Sequence, residues 1–204
     1  MSFDLQPVLT GDFIELRPLR EDDFPVLFAV ASDPLIWEQH PDPDRCTEPV
    51  FRQFFRGAME SGGAFLAIDR KDGRVIGSSR FAGYDETESE IEIGWTFLAR
   101  SHWGGTYNPE MKRLMLAHAF KFVRRVIFRV GANNRRSQRA LEKIGAAYVK
   151  AEPDPRRGWP ALLYQITSEM FARHALCLER PASPHDLRIT QAIHQPDQGA
   201  HDIS

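Results

Sequence analysis

The sequence predicts a mixed α/β domain built on a mostly antiparallel sheet, and three observations carry that prediction. Short segments at residues 13–19, 64–68, 75–84 and 89–98 read as strands separated by turn residues such as Arg70-Lys71-Asp72-Gly73, the pattern of an antiparallel meander. A long helical pattern from Pro109 to about Arg124 is followed directly by a short strand at residues 126–130. A strand that returns after a helix favours a parallel crossover beside the strand before it. Finally, 204 residues with 42% hydrophobic and 26% charged side chains suit one substantial core, so one domain plus a tail is expected.

Each element has its own justification. Residues 13–19 alternate apolar and polar and stop near Pro18, as a first strand would. Glu21-Asp22-Asp23 opens a helix whose Phe24, Leu27, Phe28 and Ala31 follow a helical period. Residues 33–41 form a loop or short turn rich in aromatic and polar groups. A second helix spans residues 48–59, with Phe51, Phe54, Phe55 and Ala58 on one side and Gly62-Gly63 at its end. In the long helix, Met111, Leu114, Met115, His118, Ala119 and Phe122 share a face, which makes His118 a hydrogen-bonded core histidine. Asn133-Asn134 caps another helix that runs to Gly145, with Lys143 in its last turn. Residues 146–151 and 161–166 are the closing strands, and the loop between them, residues 153–160, is placed to face a second substrate.

The stretch Ser101-His102-Trp103-Gly104-Gly105-Thr106-Tyr107-Asn108-Pro109-Glu110, between strand and helix, reads as an anion-binding turn. Paired glycines allow positive φ and bring backbone N–H groups close to a ligand. Asn108 suits a helix N-cap, Pro109 the first helical position and Glu110 the first turn. Free N–H groups along a helix axis attract phosphate. The Lys-Ser/Thr ending of a P-loop is missing, and no GxGxxG with an acidic residue downstream follows, so the two common nucleotide fingerprints are absent.

A net charge of -2 argues against a general electrostatic grip on nucleic acid, although Arg124, Arg125, Arg135, Arg136 and Arg139 define a third functional class, a nucleic-acid-binding module. Cys46 and Cys177 are too few for a secreted disulfide framework. The start of the chain lacks the basic and apolar runs of a signal peptide, and no stretch is long and apolar enough to span a membrane. A cytoplasmic protein with no membrane partner is expected. From Glu179 onward periodicity is lost among Pro, His, Gln and Asp, the composition of a mobile tail.

The ordered set Glu90-Ile91-Glu92-Ile93-Gly94-Trp95-Thr96-Phe97-Leu98, then Trp103-Gly104-Gly105, a helix, a strand, and Asn134-Arg135-Arg136-Ser137 leading to Glu142-Lys143-Ile144-Gly145 resembles the Gcn5-related N-acetyltransferase (GNAT) family. The resemblance runs from about Leu9 to Met170 and is nearest to the branch with ribosomal-protein N-terminal acetyltransferases. It implies a twisted, mostly antiparallel central sheet with one parallel strand pair splayed at the acetyl-CoA site and helices on both faces. It also implies an acetyltransferase domain over residues 1–178, with 179–204 as the tail. The usual loop Gln/Arg-x-x-Gly-x-Gly/Ala falls on residues 101–106, whose first and last positions depart from it.

The reaction implied is transfer of acetyl from acetyl-CoA to a primary amine, a protein N-terminus or a small molecule, without a metal. The resemblance assigns the pantetheine arm and acetyl oxygen to backbone of Trp95, Thr96, Phe97 and Leu98. It assigns the diphosphate to Trp103, Gly104, Gly105, Thr106, Tyr107 and Asn108, and a pantetheine contact to Asn134; Ser137 is read as a further cofactor contact, and Arg135, Arg136 and Arg139, near the same end, as partners of the adenosine phosphates or else a solvated basic helix face. Gly94 fits a bulge or a close ligand approach. Glu92 is the preferred base, and an ion-paired glutamate is the alternative. Alternation puts Glu90, Glu92 and Gly94 on one face and Ile91, Ile93 and Trp95 on the other. The family's tyrosine acid is replaced by Leu141, so Tyr164, Tyr148, Ser137 or a water stands in. Trp37 and His40 are substrate-side candidates, or else a packed Trp and a solvated His. A peptide α-amine costs roughly 1.4 kcal/mol to deprotonate at pH 7 against roughly 4.6 for lysine, which tilts the acceptor towards an N-terminal or small-molecule amine. A non-catalytic acyl-CoA sensor is the alternative function, and a homodimer is compatible with the chain.

Overall fold

Alternating apolar residues and turn punctuation deliver eight strands to one sheet. The computed structural model describes residues 2–156 and 158–178. In chain order its elements are β1 (Leu9–Thr10), β2 (Ile14–Pro18), α1 (Phe24–Ala31), α2 (Glu48–Glu60), β3 (Ala64–Asp69), β4 (Val75–Asp85), β5 (Glu90–Leu98), α3 (Tyr107–Ala119), β6 (Arg125–Gly131), α4 (Arg135–Lys143), β7 (Ala147–Pro153), β8 (Pro160–Thr167) and α5 (Ser168–Leu178). The order across the sheet is β1-β2-β3-β4-β5-β6-β8-β7. Neighbours are antiparallel except β5 and β6, which run parallel as the crossover rule requires. The expected tail, residues 179–204, lies outside the described residues. The sequence reading assigned no element to the stretch that forms α5.

The sheet carries apolar side chains on both faces. One face packs Ile14, Leu16, Phe65, Phe81, Ile91 and Ile93 against Met111 and Met115 of α3. The other packs Leu66 and Phe97 against Leu27 of α1 and against Phe51, Phe54 and Phe55 of α2, the residues that the helical period singled out. His118 is a core histidine, its Nε2 2.7 Å from the Asp4 carbonyl oxygen.

Helix α3 starts earlier than its capping residues suggest. Tyr107 is its first residue, and Thr106 occupies the N-cap position with helical φ and no side-chain cap bond. Asn108 is therefore inside the helix, and Pro109 falls on its third residue, still in the first turn, where a missing N–H costs no intrahelical bond. The helix also ends at Ala119, short of Arg124, because the Arg124 and Arg125 amides bond the Ser89 carbonyl to begin β6.

What fixes α3 against the sheet is Glu110. Its buried carboxylate accepts the backbone N–H groups of Asp12 (2.7 Å), Phe13 (2.8 Å) and Ile14 (2.9 Å), ending the β1–β2 turn on the helix that carries the site. A Cβ at Gly11 would stand 2.5 Å from this carboxyl carbon, so the turn approaches closer than any other residue allows. Glu110→Ala strands three amides and is expected to lower unfolding stability by about 3 kcal/mol in denaturant titration. A loss below about 0.5 kcal/mol would contradict this anchoring role.

Candidate functional site

β5 and β6 pair over only three positions, Glu90 with Arg125, Ile91 with Val126 and Glu92 with Ile127. Beyond Glu92, β5 continues with β4 and β6 with β8, so the strands part and a wedge opens at their carboxyl ends. The wedge is the mouth of a cavity of about 690 Å³, walled by the β5 backbone from Glu92 to Leu98, the loop after β5, the start of α3, the α4 face and the β7–β8 loop. Open sheets bind ligands at such carboxyl ends.

A bulge shapes the β5 wall. Arg80 pairs with Gly94 and Ser78 with Phe97, so Ser79 alone faces both Trp95 and Thr96. Trp95 takes φ +52, a conformation that costs a non-glycine residue of order 1–3 kcal/mol. The bulge sits one residue beyond Gly94 and corrects the simple alternation. Ile91 and Ile93 face the α3 core, whereas the Trp95 ring turns to the Glu92 side, between the guanidinium groups of Arg80 (4.6 Å) and Arg156 (4.5 Å).

The glycine loop ends in the wall opposite. Gly104 takes φ +74, while Gly105 does not need the left-handed region. Open space surrounds the Cβ position of both. Among the described residues no acceptor is found for the backbone N–H groups of Gly104, Gly105 and Thr106. Trp103 is fixed by its Nε1 bond to the Leu98 carbonyl (2.9 Å) and by Arg136 stacked 4.0 Å above its ring. Tyr107 points elsewhere: its hydroxyl donates to Asp69 (2.9 Å), which also meets His102 (3.2 Å), and this anchors the loop to β3. Thr106 and Tyr107 are thus outside the cavity lining, whereas Trp95, Thr96, Phe97, Leu98, Trp103, Gly104, Gly105 and Asn108 are in it.

Asn134 caps α4, its Oδ1 accepting the Ser137 amide at 3.1 Å. It lines the cavity with Ser137, Arg139 and Lys143. Its side-chain nitrogen has no protein acceptor among the described residues. Arg136 instead ties residues 36–39 to α4 through the Ile36 carbonyl (2.8 Å) and Glu38 (3.2 Å). Arg125 is paired with Glu90 at 2.5 Å, so the arginines read as a nucleic-acid patch are partly committed to internal ion pairs.

Glu92 is buried in the cavity wall, and its carboxylate accepts from Arg129 (2.8 Å) and Arg156 (2.9 Å). It combines the wall position of a base with the ion-paired alternative. Trp37 lines the cavity but is packed, with Nε1 on the Ala31 carbonyl (2.7 Å) and its ring 5.0 Å from Phe97. His40 also lines it, half-buried, with Nδ1 accepting the Asp42 amide at 2.9 Å. Tyr164 does not reach the site. It is buried in the core, its ring edge against Tyr148 at 5.8 Å, one strand further from the wedge than its register partner Phe128, which does line the cavity. The residues 153–160 loop does face the cavity, through Asp154, Arg156 and Trp159. Among the described residues no group of three or more His, Cys, Asp and Glu is arranged to hold a metal.

The sequence reading missed Lys112. It is 4% exposed, lines the cavity, and donates to Thr96 Oγ1 (2.5 Å) and Ser79 Oγ (3.4 Å) beneath the bulge. Burial pushes its pKa down from 10.5 to about 7. The available signal was its helical register with Met115, Leu116 and Ala119, all buried. Between pH 7 and 10.5 the unfolded chain binds more protons at this residue than the folded one, so its contribution to stability is least favourable below pH 7 and improves as pH rises. Lys112→Met should therefore gain most over the wild type at pH 6, with the difference shrinking by on the order of 4 kcal/mol towards pH 10 in unfolding titrations. A difference independent of pH would contradict the assignment of a strained cation.

Comparison with known proteins identifies the fold and the family. Residues 14–147 match the Acetyltransferase (GNAT) domain. No curated protein matches the chain. A GCN5-related N-acetyltransferase from Brucella melitensis superposes with a TM-score of 0.72 at 19% identity, covering 88% of this chain and 87% of that one. The GNAT-family acetyltransferase from Bacillus anthracis gives 0.66 at 22%, covering 80% and 99%. Mycobacterium smegmatis RimJ, solved with CoA-disulfide, gives 0.62 at 19%, covering 82% and 90%. At these identities the structural likeness establishes the fold, and with the domain match over most of the sequence the conclusion is plain: the chain belongs to the GNAT acetyltransferase family.

Proposed function

We propose that the protein transfers the acetyl group of acetyl-CoA to a primary amine, a peptide N-terminus or a small-molecule amine. The observation that carries the reading is the run of unpaired amides at Gly104, Gly105 and Thr106, at the start of α3 and beside the parted strands. Such amides favour an anion, and the helix dipole adds roughly 0.3–2 kcal/mol. The cationic α4 side, with Arg139 and Lys143, supports a polyanionic cofactor, and the free side-chain amide of Asn134 suits a pantetheine carbonyl.

The acceptor enters from the side of Trp37, His40 and the β7–β8 loop. Glu92 is the carboxylate available there to take its proton, directly or through water, with Arg129 and Arg156 holding it in place. A single carboxylate serves this step, which supports the amine that is cheaper to deprotonate.

Incubation with acetyl-CoA and a panel of amines and N-terminal peptides should release free CoA in proportion to acceptor consumed. Binding of acetyl-CoA with no turnover of any acceptor would instead favour a non-catalytic sensor. Glu92→Gln is expected to lose roughly 100-fold in kcat with cofactor affinity unchanged. An unaltered kcat would remove Glu92 from the reaction.

A further inference from the structure

The reading above leaves the departing sulfur without a proton donor, since Leu141 stands where the family's tyrosine would and Tyr164 is in the core. Lys112 is an ionisable group of the cavity that the reading does not use. Its stem is explained by packing, but its head group is not: a methionine or leucine would fill the same place beside Met115 and Leu116, and a buried cation without a counter-ion is costly. Among the described residues no carboxylate pairs with it. An ammonium has three donors, and Nζ spends two, on Thr96 and Ser79. The third has no protein acceptor among the described residues. Because Thr96 belongs to the bulge, the ammonium is anchored where β5 turns away from β6, with the Phe128 ring centroid 5.9 Å away.

The charged groups on the elements around it are committed elsewhere. Glu110 on its own helix holds the amides of residues 12–14, and Arg113 is exposed. Arg80 of β4 bonds the Phe54 and Gly57 carbonyls, Glu90 of β5 pairs with Arg125 of β6, and Glu92 of β5 with Arg129 of β6. Across the cavity, Arg139 and Lys143 belong to the α4 wall.

We propose that Lys112 is the general acid of the acyl transfer, protonating the CoA sulfur as it departs. The proposal rests on the acetyl-transfer reading. The acceptor nitrogen forms the new N–C bond with its lone pair, and the C–S bond breaks with its electrons on sulfur. The Lys112 ammonium gives that sulfur a proton and becomes a neutral amine. The surplus proton of the acceptor passes by way of Glu92 to water, from which Lys112 is recharged. Burial pushes the Lys112 ammonium down to about 7, which makes it a readier proton donor than an ordinary lysine.

The test uses the full chain, acetyl-CoA and an acceptor that the wild type turns over, with CoA affinity measured separately by calorimetry. Lys112→Met should bind CoA within about threefold of wild type while kcat falls about 100-fold, and the alkaline limb of the kcat profile should vanish. Lys112→Ala should regain turnover with added ethylamine, which a purely structural role would not provide; it serves equally if the Met variant does not fold. Lys112→Arg keeps the charge but holds its proton too tightly, and should stay slow. A kcat within threefold of wild type for Lys112→Met, or a loss that neither depends on pH nor responds to amine, would overturn the proposal. A wild type that binds CoA but acetylates nothing would remove the underlying reading, and the proposal with it.

Discussion

Three residue pairs hold β5 to β6, and the place where that pairing stops positions the cavity and the elements that wall it. A parallel pair continued to its end would satisfy its own backbone groups and leave no room for a ligand. Here the bulge at Trp95 and Thr96 sends β5 towards β4, and α3 fills the far side of the gap. Cavity, bulge and helix start are consequences of one interrupted ladder.

The polar groups around the gap then sort into two kinds. Some are fully engaged and act as braces: Glu110 on three amides, Trp103 on the Leu98 carbonyl, Arg136 on Ile36 and Glu38, Tyr107 on Asp69. Others keep unused capacity at the cavity, namely the amides of residues 104 and 105, the side-chain nitrogen of Asn134 and one donor of Lys112. Buried polar groups are ordinarily paired. Unused capacity concentrated in one place is what a bound ligand would complete, and it traces a path from the glycine loop to the bulge.

Much of the fold was legible because its signals are periodic and local. The Phe51-Phe54-Phe55-Ala58 stripe, the meander strands and the parallel crossover all follow from spacing and handedness. The local geometry of the candidate site was legible where backbone chemistry dominates, as at Gly104 and at the Asn134 cap. It was illegible where meaning depends on distant partners or on a shifted register. Glu110 meets amides almost a hundred positions away, Trp95 changes face through a bulge that alternation cannot show, and Tyr164 lies on β8, one strand further from the wedge. Lys112 was missed because a charged residue is ordinarily assumed to face water. The start of α3 was misjudged by two residues because Asn108 and Pro109 imitate a cap within its first turn.

The central claim is that the amides at the start of α3 hold the diphosphate of a thioester carrier. Calorimetric titration of the purified protein with CoA and, separately, with pantetheine, which lacks the diphosphate, tests this most directly. Saturable micromolar uptake of CoA with no uptake of pantetheine at the same concentrations is the predicted result. Equal binding of the two, or no uptake of CoA, would contradict the account.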